Sequence, residues 1–132
     1  MSKPVPAQAL VVVADGGRAI LFRNTGTGGA VSLREERRVE PGNVTQGPSG
    51  VRPNEQTPEQ TKEATFAKNL THLLNAMHEE HVFKEMVLVA DPQTLGQIRA
   101  AMHKSLEGAV AWSLAKDLTN NSVAEIEKSL SH

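Results

Sequence analysis

Residues 86–92 read Met-Val-Leu-Val-Ala-Asp-Pro. Five consecutive apolar residues, with no polar position among them, describe a strand covered on both faces, the habit of a parallel strand in an α/β sheet. Asp91 can cap a helix and Pro92 suits the first helical position, where a missing N–H costs nothing. Leu95, Ile98 and Met102 then fall on one face of the helix that follows. This strand-cap-helix passage predicts a layered α/β domain.

Upstream lies a second fully apolar run, residues 9–14 (Ala-Leu-Val-Val-Val-Ala), closed by Asp15-Gly16-Gly17. It reads as another central strand, with a tight turn leading to an antiparallel neighbour over residues 18–23. Residues 24–29 (NTGTGG) carry turn chemistry. From 31 to 39, Val31, Leu33, Glu35, Arg37 and Val39 alternate with Ser32, Arg34, Glu36 and Arg38, the pattern of a charged strand near a sheet edge. Residues 41–58 hold four Pro and three Gly without periodicity, a long loop of the kind that is functional or flexible. Thr57, Pro58 and Gln60 form a capping box, after which Phe66, Leu70, Leu73, Leu74 and Met77 define an amphipathic helix over 58–80.

Downstream, residues 105–117 fit a short helical turn and then a fifth strand, although Leu106, Val110 and Leu114 also suit a helix. Ser122 and Glu125 make a second capping box before a terminal helix with Val123, Ile126 and Leu130. The expected fold is α/β: a mixed five-stranded sheet flanked by helices, in the order βββαβαβα. That order is shared by ribonuclease H-like folds and some translation-factor domains. It indicates architecture, not activity.

The 132 residues suit one domain, 1–132, with one core. With no cysteine, disulfides and thiolate chemistry are excluded. No stretch is apolar enough for a membrane span, and the six-residue run at 9–14 is too short for a signal-peptide core, so a cytoplasmic location is expected. The net charge of -1 argues against a globally basic nucleic-acid binder, and three Phe, one Trp and no Tyr argue against a base-stacking platform. The charge is uneven, however: +2 over residues 1–58, where six of seven basic residues are Arg, and -3 over 59–132.

Four constellations could carry chemistry. Asp15, Glu63 and Asp91 stand where two-metal nucleases gather acids, with Asp117 and Glu125 further on. Turn-forming and capping preferences explain Asp15 and Asp91 equally well, and Glu63 is an ordinary first-turn acid. His78 and His81 share a helix face at a spacing of three, which is not the zinc spacing of four. They suit a helix C-terminus, and no metal or other cofactor is expected. Arg34, Arg37, Arg38 and Arg52 could contact phosphates, with Arg34 and Arg38 on one face. Glu35, Glu36 and Glu40 among them equally describe a self-neutralised edge. Gly26, Gly28 and Gly29 make no phosphate loop.

Four passages carry a family resemblance: Val-Val-Ala-Asp-Gly-Gly-Arg-Ala at 12–19, the helix from Phe66-Ala67-Lys68 to Leu74, 86–92 with Thr94-Leu95-Gly96 and Ile98-Arg99, and Lys116-Asp117-Leu118-Thr119 with 123–127. In this order they resemble the bacterial host attachment family, which is itself similar to the middle domain of archaeal and eukaryotic peptide-chain release factors and to the ribosome-rescue factor Pelota. The resemblance implies a mixed five-stranded sheet and contact with tRNA or the ribosome. In release factors a Gly-Gly-Gln loop precedes the long helix and serves hydrolysis. The loop at 41–58 has that position without the tripeptide, and offers Gln46 and Gln56 as the nearest counterparts. The leading expectation is therefore a release-factor-like domain that contacts RNA through the loop and Arg34, Arg37, Arg38 and Arg52. The alternatives are a metal-dependent nuclease using Asp15, Glu63 and Asp91, and a non-catalytic interaction module, pairing a partner or a second copy along the edge strand at 31–39, with an indirect role in host attachment.

Overall fold

The computed structural model describes residues 5–26, 31–40 and 58–130, and side chains there except those of 58–64. Strands β1 (Leu10–Ala14), β2 (Ala19–Asn24) and β3 (Leu33–Val39) precede helix α1 (Pro58–Glu79). Strand β4 (Met86–Ala90), helices α2 (Pro92–Ala101) and α3 (Lys104–Ala109), strand β5 (Val110–Ala115) and helix α4 (Val123–Leu130) follow. The expected mixed sheet is present, in the order β3-β2-β1-β4-β5. β1 pairs antiparallel with β2 and parallel with β4, and β4 pairs parallel with β5.

The two all-apolar runs occupy the centre. Every residue of β1 and β4 is buried, because alternate side chains enter two separate cores. Leu10, Val12, Met86 and Leu88 meet Phe66, Leu70 and Leu74 of α1, Ile98 of α2 and Leu106 of α3. Val11, Val13, Val87 and Val89 meet Ile126 and Leu130 of α4, together with Val5 and Leu118. The molecule is thus three layers, helices on both sides of one sheet.

Three details depart from the sequence reading. First, the short helical turn expected ahead of β5 is a helix of its own, α3, set off from α2 by Met102 and His103. Asn75 of α1, 3% exposed, takes the His103 N–H on Oδ1 (3.1 Å) and donates from Nδ2 to the Ala101 carbonyl (3.4 Å). These bonds satisfy backbone groups freed where α2 ends and α3 begins. Second, β3 does not keep one face. The ladder steps from Leu21↔Arg37 to Phe22↔Glu35, leaving Glu36 as a bulge. Leu33 therefore enters the α4-side core and Val39 the α1-side core. Third, β5 bulges at Ala111, between Met86↔Val110 and Val87↔Trp112. Val110 then packs on the α1 side, Trp112 and Leu114 on the other.

The helix starts behave as read where they are described. Asp91 accepts from the Thr94 N–H at 3.1 Å, and Ser122 and Glu125 exchange their reciprocal bonds at 3.0 and 3.2 Å. Thr57, with its box, lies outside the described residues, as does the segment 41–57.

Candidate functional site

Two regions hold the candidate residues. The first is at the carboxyl ends of the parallel strands. The chain leaves β1 toward β2 on one side and leaves β4 toward β5 on the other, so a crevice opens beyond those ends, the usual ligand position in such sheets. Asp15, Gly16, Gly17, Asp91, Gln93, Thr94 and Asp117 line a cavity of about 430 Å³ there.

Each carboxylate in the crevice already has structural bonds. Asp15 Oδ1 accepts from the Gly17 and Arg18 N–H groups at 2.8 and 2.9 Å, closing the β1–β2 turn. Asp91 caps α2. Asp117 Oδ1 accepts from the Thr119 N–H at 3.1 Å. The buried Thr119 hydroxyl lies 2.7 Å from Asp15 Oδ2 and 2.8 Å from Asp117 Oδ1. Its single proton serves one of them at a time. Arg18 completes the cluster, donating to the Thr119 carbonyl at 3.3 Å and to Asn120 Oδ1. Asp15, Asp91 and Asp117 are candidates from sequence alone, whereas Thr119, Arg18 and Asn120 join them only through the fold. The adjoining Asp117-Leu118-Thr119 passage was the available signal.

Among the described residues no group of three His, Cys, Asp or Glu is placed to hold a metal ion. The backbone of Glu63 is in the first turns of α1, but its side chain lies outside the described residues. His78 and His81 do not share a helix face. His78 is in the last turn of α1 and its ring lies 5.6 Å from that of Phe83, whereas His81 is past the helix end with φ 63°.

The second region is β3, where five of seven residues are charged and exposed. The bulge at Glu36 redistributes them. Arg34, opposite Arg23, and Arg37, opposite Leu21, take the α1 side. Arg38, opposite Ile20, takes the α4 side together with Glu35, so Arg34 and Arg38 do not share a face as expected. Arg34 pairs with Glu36 at 3.1 Å, and Arg38 with Glu35 at 2.7 Å. Glu36 also binds Arg23, which fixes its guanidinium to the Gln8 and Val82 carbonyls. Burial alone would raise the Glu36 carboxyl, but hydrogen bonds and charge from Arg23 and Arg34 outweigh it and hold the group below its ordinary range. The Glu35 carboxylate raises Arg38. Arg37 is exposed and makes no ion pair with a described residue. Gln46, Arg52 and Gln56 lie outside the described residues.

The two regions differ in sign. Three aspartates beside one arginine make the crevice unfavourable for a phosphate, whereas β3, the outermost described strand on its side of the sheet, presents exposed arginines. No helix among the described residues is long and apolar enough to cross a membrane. The family model described as bacterial archaeo-eukaryotic release factor family 12 matches residues 8–130. No curated protein matches the chain.

Proposed function

The chain belongs to bacterial archaeo-eukaryotic release factor family 12, and from that membership we propose a domain that contacts tRNA or ribosomal RNA through the β3 edge and the adjoining segment 41–58. The observation that carries this reading is the exposed arginine row of β3, Arg34, Arg37 and Arg38, directly before that segment. Arg37 has the leading role, since Arg34 and Arg38 are already turned toward Glu36 and Glu35. Arg52 adds a further charge within the segment. The proposed contact is non-hydrolytic, because the segment has no Gly-Gly-Gln to orient water at an ester; Gln46 and Gln56 are its only glutamines ahead of the helix. Such a domain works where ribosomes are, in the cytoplasm, and any influence on host attachment is indirect.

Co-sedimentation with ribosomes across a salt series tests the reading. Binding is expected at low salt and weakens as salt rises, because released counterions supply much of the affinity. Arg37→Ala should weaken binding on every RNA and reduce the salt slope by about 1, the signature of one lost phosphate contact. No binding at low salt overturns the proposal.

A further inference from the structure

The two edges of the sheet are protected very differently. β3 carries five charges in seven residues, an ordinary defence against edge-to-edge pairing. β5, Val110-Ala111-Trp112-Ser113-Leu114-Ala115, carries none, and no described strand lies on its outer side. Four of its six residues are half-buried and two are exposed. A groove of about 440 Å³ runs beside it, lined in part by Met102, Val110, Trp112, Arg99 and Glu107.

We propose that β5 is a homodimer edge, pairing antiparallel with β5 of a second copy to make one ten-stranded sheet. The hydrogen-bond direction selects the register. The Lys116 N–H donates inward to the Ala90 carbonyl at 2.8 Å. Strand groups alternate sides, so Ser113 and Ala115 direct their N–H and C=O outward. Beyond the Ala111 bulge, residues 112–115 pair regularly with β4, and the chain tightens only at the strand end, where the Lys116 N–H also reaches the Leu114 carbonyl at 3.1 Å. A two-fold axis at Ser113 makes the two Ser113 residues a hydrogen-bonded pair. It also sets Trp112 of each copy across from Leu114 of the other, on the same side of the sheet, a favourable aromatic–aliphatic pair.

Charge supplies the argument for a second copy over an unrelated strand. Glu107 lies beside the start of β5 and Lys116 directly follows its end. Antiparallel pairing brings the end of one copy to the start of the other, so Lys116 approaches the partner's Glu107 twice, once on each side of the axis. Main-chain bonds provide the attachment and these flanking groups the orientation.

Sedimentation velocity over a wide concentration range, with circular dichroism on each variant, tests this. Wild-type protein should be dimeric at high concentration. Ser113→Pro removes an outward N–H and leaves the ladder to β4 intact, so it should be monomeric with an unchanged spectrum. Ser113→Lys, which places like charges together at the axis, is the second variant should the proline disturb folding, and it should also be monomeric. Arg37→Glu, on the opposite edge, should leave the dimer unchanged. A wild-type monomer at every concentration overturns the proposal. So does a dimer that survives both Ser113 changes, or one that Arg37→Glu dissociates.

Discussion

His81 is one of two non-glycine residues among those described with positive φ, at 63°; the other is Gln8 at 66°. It stands where the chain leaves α1. Its N–H donates to the His78 carbonyl at 3.0 Å, and the Val82 N–H reaches back to the Met77 carbonyl at 2.9 Å. Those two bonds define a helix stop that ordinarily employs glycine, because a Cβ in the left-handed region crowds the following carbonyl. His81→Gly should therefore stabilise the fold by about 0.5–1 kcal/mol, after the extra freedom glycine gives the unfolded chain is deducted. An upward shift in thermal midpoint checks it; a lower midpoint contradicts the assignment. The helix read over 58–80 already ends before His81, so the face read for His78 and His81 from their spacing of three extended helical geometry one residue too far; no glycine or proline marks the stop there.

At the scale of elements, the interior strands, the helix faces and the presence of both edge strands were legible, and the facing of the edge residues was not. β1 and β4 are unbroken apolar runs, and Phe66, Leu70 and Leu74 of α1 keep helical spacing. Each of these faces a core, and burial imposes its period directly on the residues. β3 and β5 have weaker patterns because an edge strand is packed on fewer sides. Both absorb a bulge, Glu36 in one and Ala111 in the other, that reverses the face of every residue beyond it. This is why the shared face read for Arg34 and Arg38 does not exist. The junction of α2 and α3 was hidden for a different reason: its two bonds come from Asn75 on another helix. Asn75→Ala should lower stability by about 1–3 kcal/mol, since it leaves a donor and an acceptor without partners near the core. Urea unfolding should show a lower midpoint with an unchanged slope.

Across the whole molecule, three passages far apart in the chain converge on the crevice beyond β1, β4 and β5. Thr119 lies 104 residues from Asp15 and contacts it through a 2.7 Å bond. The hydroxyl joins the β1–β2 turn to the connection that leads into α4. Thr119→Val should cost about 1 kcal/mol of global stability, the usual net worth of such a bond. Equilibrium unfolding followed by both fluorescence and circular dichroism checks this, and a variant as stable as the wild type excludes a fastening role. The sequence alone determined the layered α/β class, the two central strands, the cap at Asp91 and the box at Ser122–Glu125. All of these follow from local backbone chemistry or from a burial period of two or 3.6 residues. Only the tertiary structure decided which arginines share a face, which sheet edge is left uncharged, and that Asp15, Asp91, Asp117 and Thr119 meet. Those relations depend on the strand order and on two single-residue bulges, and neither leaves a periodic trace in the chain.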